Sequence, residues 1–134
     1  MNEEYIKHCQ AAYQRILAAK NILIVSHLHP DVDAVSSLGI IIEIVEGLDK
    51  GYLAYAQDKD EGIFDFLPHS ERIHGQLPVG FSLGDYDLAV VLDCGSVNRT
   101  GLAEGLRQRD KKKLQVIEFD HHPKVDDYAD LEIR

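Results

Sequence analysis

Three apolar runs of this 134-residue chain each end in carboxylates and imidazoles. Ile22 to Ser26 runs into His27-Leu28-His29-Pro30-Asp31-Val32-Asp33, Asp87 to Leu92 into Asp93, and Leu114 to Phe119 into Asp120-His121-His122. Acids and imidazoles rarely stand at the mouths of three consecutive buried strands unless they share a task, and the task such donors share is holding metal ions. His27, Asp31 and Asp33 lie in one loop and can face one cavity, which Asp93 and His121 can enter from neighbouring strand ends. Carboxylates suit hard divalent cations, and imidazole tilts the choice from Mg²⁺ toward Mn²⁺ or Fe²⁺, with Mn²⁺ the best fit where no suitable thiolate is present. A carboxylate shared by two ions would keep them about 3.5–4 Å apart, the spacing at which a bridging hydroxide attacks phosphorus in line. His121 and His122 are adjacent on an extended segment and point opposite ways, so one is expected to bind metal and the other to touch substrate. Asp120 can accept an imidazole N–H and fix its tautomer.

These residues need a scaffold that brings strand ends together. Ile6, Cys9, Tyr13, Ile16 and Leu17 recur at helical spacing and predict a helix over residues 3–19 with that set as its buried face. Ile22-Leu23-Ile24-Val25 reads as a strand buried on both sides. Ala34, Leu38, Ile42 and Val45 predict a second helix ending near Gly47, its buried face widened by Ile40, Ile41 and Ile44, with Asp33 and Ser36 in its first turn. Further strands are expected at 52–56, 88–92 and 114–119, with a short one at 72–74, a short helix or turn at 62–67 and a helix within 102–109. Strands alternating with helices predict an α/β fold, a mainly parallel twisted sheet with helices on both faces, Rossmann-like. Ligands of such sheets bind beyond the carboxyl ends of the strands, where all three acidic clusters sit.

Length and composition set the outer bounds. The chain suits one domain that buries roughly 70% of its unfolded surface. Apolar residues at 45% and charged residues at 28% are a globular balance. No run approaches the roughly 20 apolar residues of a membrane span, and the first residues lack the order of a signal peptide, so a cytoplasmic location and no membrane partner are expected. A net charge of -9 disfavours extended nucleic acid binding by this chain. Cys9 and Cys94 are too far apart in sequence for a zinc knuckle and read as small packing residues.

With these motifs in view, the chain resembles the DHH phosphoesterase superfamily. The first signature, His-x-x-Pro-Asp-x-Asp-Ala, is matched by His27, Pro30, Asp31, Asp33 and Ala34; Asp93 matches the second, and Asp120-His121-His122-Pro123 the motif that names the family. The spacing and Pro123 are most similar to the oligoribonuclease and 3′-phosphoadenosine 5′-phosphate phosphatase subgroup, ahead of cyclic-dinucleotide phosphodiesterases, single-strand exonucleases and pyrophosphatases. The resemblance implies a Mn²⁺-dependent phosphoesterase, with Mg²⁺ or Co²⁺ as substitutes, acting by a metal-bound hydroxide on a phosphorylated nucleotide or short RNA. It implies His27, Asp31 and Asp93 on one ion, Asp33, Asp93 and His121 on the second, His122 at the scissile phosphate, Asp120 orienting its neighbours, and Arg99 assisting on the substrate side.

It further implies that family members continue past the naming motif with another strand, which supplies one more aspartate, and with a second, substrate-binding domain. Residues 1–134 read as one DHH domain that ends at Arg134 ahead of both, which leaves the second metal site incomplete. The alternative is therefore a non-catalytic metal-binding half-domain needing a downstream segment or a partner; an oligomer stays open. A dinucleotide-binding reading is set aside because His27 to Asp33 stands where a glycine-rich turn would be. His29, His8, His69 and His74 are expected on the surface, Lys111-Lys112-Lys113 as a solvated strand entry, and Tyr52 and Tyr55 in the core.

Overall fold

The computed structural model describes residues 2–134. The first helix, α1 (Glu3–Ala18), starts where the Asn2 side chain accepts the Tyr5 N–H at 2.8 Å and carries Glu3 and Glu4 in its first turn, where the helix dipole favours acids. Its buried arc is Ala12 and Ile16, flanked by Cys9, whereas Ile6, Tyr13 and Leu17 are exposed, which corrects the face expected from spacing. The strand β1 (Asn21–Val25) is buried along almost its whole length. The helix α2 (Val32–Gly47) is capped by Asp31, whose Oδ1 accepts the Ala34 N–H at 2.9 Å, with Asp33 inside the first turn. Ile41 is buried there, but Ile40 is exposed, against the expected wide face.

The other elements are β2 (Gly51–Tyr55), β3 (Ile73–His74), β4 (Leu88–Leu92), α3 (Ala103–Gln108), β5 (Gln115–Phe119) and β6 (Leu131–Ile133). Residues 62–67 form turns rather than a helix. All five strand pairings are parallel, in the order β3-β2-β1-β4-β5-β6, so connections run outward in both directions from the β1–β4 pair. The α/β fold with one parallel sheet is therefore as expected. One correction concerns its far edge: β6 lies beyond Asp120-His121-His122, so a strand past that motif is present in this chain.

Side chains alternate between two cores. Ile22, Ile24, Leu88, Val90, Leu92 and Ile117 face α1 and α2, while Leu23, Val25, Ala89, Val91 and Val116 face Leu106 of α3 and the turn at Val97. Helices thus stand on both faces, the two long ones on the same side. No helix among the described residues is long and apolar enough to cross a membrane.

Gly101 shows why the segment after β4 needs its Arg-x-Gly ending. It has a φ of +76°, and a Cβ there would meet Gln57 Oε1 at 2.5 Å. Gly101→Ala is expected to cost about 1–3 kcal/mol in urea unfolding, through a left-handed backbone and a displaced Gln57.

Candidate metal centre

Strand register sets the heights of the candidate ligands. Val25 is level with Val91 and Leu92 with Phe119, so continuing the register places His27, Asp93 and Asp120 side by side at the carboxyl edge. This edge, at the β1–β4 pair where the connections diverge, is where open parallel sheets bind ligands. Local hydrogen bonds fasten the strand ends together: Ser26 Oγ donates to the Leu92 carbonyl at 2.6 Å, Asp93 N–H to Phe119 at 2.9 Å, and Asp120 N–H to Ile133 at 3.0 Å.

Two groups of donors converge, and Asp93 belongs to both. His27, Asp31 and Asp93 each offer an atom within 4.8 Å of the others, as do Asp93, Asp120, His121 and His122. Asp93 is buried and left-handed at φ 52°, a strained backbone for a residue with a side chain, of the kind that collects at functional sites. Buried His27 brings Nδ1 to 2.9 Å from the Leu28 carbonyl. A carbonyl only accepts, so Nδ1 carries the proton and Nε2 is left as a free acceptor that could meet a cation, 3.7 Å from Asp31 Oδ1. Asp31 and His121 are exposed, which makes them the open wall of the site.

His121 Nε2 stands 2.8 Å from Asp93 Oδ1. Two ligands of one ion at about 2.1 Å, set at right angles, would be roughly 3 Å apart, so this pair is already spaced for shared coordination, with release of the imidazole proton. Asp33 belongs to neither close group but lines the same cavity of about 400 Å³ with Ser36, Asp93, Asp120 and His121. The donor set of carboxylate oxygens with imidazole nitrogens fits a divalent cation, and crowded acids without a cation repel one another.

Asp120 is occupied differently. Its Oδ1 accepts His122 Nδ1–H at 2.6 Å and the N–H groups of His121 and His122 at 2.8 and 3.1 Å, and its Oδ2 accepts Gly95 N–H at 2.8 Å. Burial pushes this carboxyl up, but the hydrogen bonds from His122, Gly95 and His121 outweigh it and hold it below the usual aspartate value. The arrangement fixes the His122 tautomer and leaves its Nε2 free. Arg99 is exposed and donates from Nη1 to the Cys94 carbonyl at 3.3 Å. Gly95, at φ +77°, lies beside both: a Cβ there would come within 3.5 Å of that guanidinium nitrogen and 3.8 Å of the His122 ring. Cys94 packs in the second core, and burial pushes its thiol up to about 12.

His29 and His74 are exposed, as expected, whereas His69 is half-buried between Glu43 and Arg72. Tyr55 is buried, and Tyr52 half-buried with its hydroxyl on Glu46. Sequence reasoning missed Glu118, Tyr128 and Arg134, which sit behind His122. One signal was available: Glu118 is an acid inside an otherwise apolar strand, and such a group needs partners.

The chain as a whole is similar to known proteins. The model of the DHH family, N-terminal domain, matches residues 21–133. Eight chains of solved structures match. One of them, an exopolyphosphatase-related protein from Bacteroides fragilis, has a TM-score of 0.76 at 23% sequence identity, over 95% of this chain and 38% of that one. No curated protein matches.

Proposed function

Because this chain belongs to the DHH family, its N-terminal-domain pattern running through residues 21–133, we propose that it is the metal-holding domain of a phosphoesterase that hydrolyses short oligoribonucleotides or adenosine 3′,5′-bisphosphate with Mn²⁺. The observation that carries this reading is the meeting of two donor groups on one shared carboxylate, Asp93. In it His27, Asp31 and Asp93 would hold one ion and Asp33, Asp93 and His121 the second, with Asp93 common to both sets. Bound there, divalent cations supply Lewis-acid activation of water and neutralise charge on the phosphoryl oxygens. The chain itself positions: His122, with Nδ1–H held by Asp120, directs Nε2 to the substrate side, where as an imidazolium it would donate to a phosphate oxygen, and Arg99 adds positive charge from the same side. Mixed oxygen and imidazole donors favour Mn²⁺, with Mg²⁺ or Co²⁺ as weaker substitutes. Pro123, directly after Asp120-His121-His122, supports the oligoribonuclease and nucleotide-phosphatase subgroup, and the net charge of -9 supports a short substrate over a long one.

The rival, a metal-binding half that needs a downstream segment or partner for turnover, draws on the place of Asp33 outside both close groups. One experiment separates the two. Adenosine 3′,5′-bisphosphate and a diribonucleotide are incubated with the protein in Mn²⁺ or in EDTA, and released phosphate and mononucleotide are measured. Mn²⁺-dependent release, lost in Asp31→Ser, is the expected result; the serine keeps a capping oxygen for α2, so the loss reports the ligand and not the helix. Release that survives the substitution overturns the assignment, and Mn²⁺ binding without release favours the rival.

A further inference from the structure

We propose that Arg134, Glu118 and Tyr128 form a positioning clamp that holds His122 from behind and so sets the direction of its imidazole. The inference rests on the reading of His122 as the histidine that faces substrate.

Glu118 is fully buried on β5, where an unpaired carboxylate would be strongly destabilising. It has two partners: the Tyr128 hydroxyl donates to Oε2 at 2.8 Å, and Arg134 Nη2 donates to Oε1 at 2.7 Å. The other terminal nitrogen of the same guanidinium, Nη1, donates to the His122 carbonyl at 2.7 Å. One planar fork therefore spans a carboxylate anchored in the sheet and the peptide group of His122. Asp120 holds the same residue at other atoms, through the ring Nδ1–H at 2.6 Å and the backbone N–H at 3.1 Å. His122 is thus fixed at its ring, its N–H and its carbonyl, and the direction of Nε2 follows from all three.

The clamp is not needed merely to attach β6. That strand is already paired to β5 through Ile117–Leu131 and Phe119–Ile133, and Asp120 N–H reaches the Ile133 carbonyl at 3.0 Å. What the guanidinium adds is the link to His122. An ammonium cannot reproduce it, since it is a point donor without the fork geometry that meets two acceptors in one plane.

The test compares Arg134→Lys and Arg134→Gln with the parent. In the metal-free protein, the Nδ1–H resonance of His122 is followed by proton–nitrogen NMR with its exchange rate; in the Mn²⁺ form, kcat, KM and the Mn²⁺ dissociation constant are measured. Both variants are expected to shift that resonance and raise its exchange at least about tenfold, and to lower kcat by roughly 10–100-fold with KM and Mn²⁺ affinity little changed, the scale of losing a group that orients a functional imidazole. Parental NMR behaviour in both variants overturns the clamp. Rescue by Arg134→Lys also overturns it, because a simple ion pair with Glu118 would then suffice. A shifted resonance in a protein that releases no phosphate leaves the clamp standing while removing the proposed hydrolysis. If the Arg134 variants unfold, Tyr128→Phe, which leaves the guanidinium in place, gives the same NMR readout: a smaller shift in the same direction supports the clamp, and no shift overturns it.

Discussion

Asp93→Asn is expected to lower Mn²⁺-dependent hydrolysis on the order of 1,000-fold, about 4 kcal/mol of barrier, and yet to fold at least as well as the parent when metal is absent. Asp93 supplies an atom to both donor groups, so its loss would disturb both proposed ion sites at once. Asparagine keeps the shape and tolerates the left-handed backbone at φ 52°, which isolates the effect of charge. In the metal-free protein the carboxylates of Asp31 and Asp120 crowd Asp93, and neutralising one of three relieves repulsion. Asp93→Gly should go further, stabilising the metal-free fold by about 1 kcal/mol through relief of backbone strain while abolishing Mn²⁺ binding. Urea unfolding in EDTA, set beside calorimetric Mn²⁺ titration and phosphate release, checks both arms. An asparagine variant with parental turnover would contradict the shared-carboxylate reading.

The second large effect belongs to Asp120, and its sign is different. Asp120→Ala should destabilise the metal-free protein by about 3–5 kcal/mol, because it strips the acceptor from three backbone N–H groups and one imidazole N–H. The depressed carboxyl pKa adds a pH signature. A group that is more acidic folded than unfolded contributes stability that is complete above the unfolded value of 3.8 and is lost as pH falls through the lower folded value. In EDTA the parent should therefore lose stability below about pH 4, and Asp120→Asn should flatten that part of the curve. Chemical unfolding between pH 2 and 6 decides it; an unchanged acid limb in the asparagine variant would show that the carboxylate is not held as the geometry requires.

The sheet and the meeting of the three acid clusters were legible because both depend on patterns that sequence carries directly. β-branched runs mark strands buried on both faces, and in a parallel sheet the residues that follow those runs must gather at one edge. What stayed hidden depends on partners. Spacing groups Ile6, Tyr13 and Leu17 on α1 but does not say whether that side meets the sheet; the arc that does uses the smaller Ala12 with Cys9 and Ile16. Asp31 and Asp33 both suit a helix start, and only the backbone shows that Asp31 takes the cap. The strand β6 is three residues long after a polar loop, too short to carry a period of its own. The roles of Glu118 and Arg134 needed three dimensions, since they meet across β5 and β6 and bond a carbonyl, an atom every residue has.

The burial of the candidate ligand atoms is uneven, which gives the proposed site an inside and an outside. His27 and Asp93 form the floor, rooted in the two central strands and tied to each other's neighbours by Ser26 and Leu92, while Asp31 and His121 stand in solvent. On the proposed reading, a cation arriving from bulk water would meet the outer pair first and the inner pair after it. Release would retrace that path, so the expected place for a chelator to compete is the exposed doorway rather than the floor.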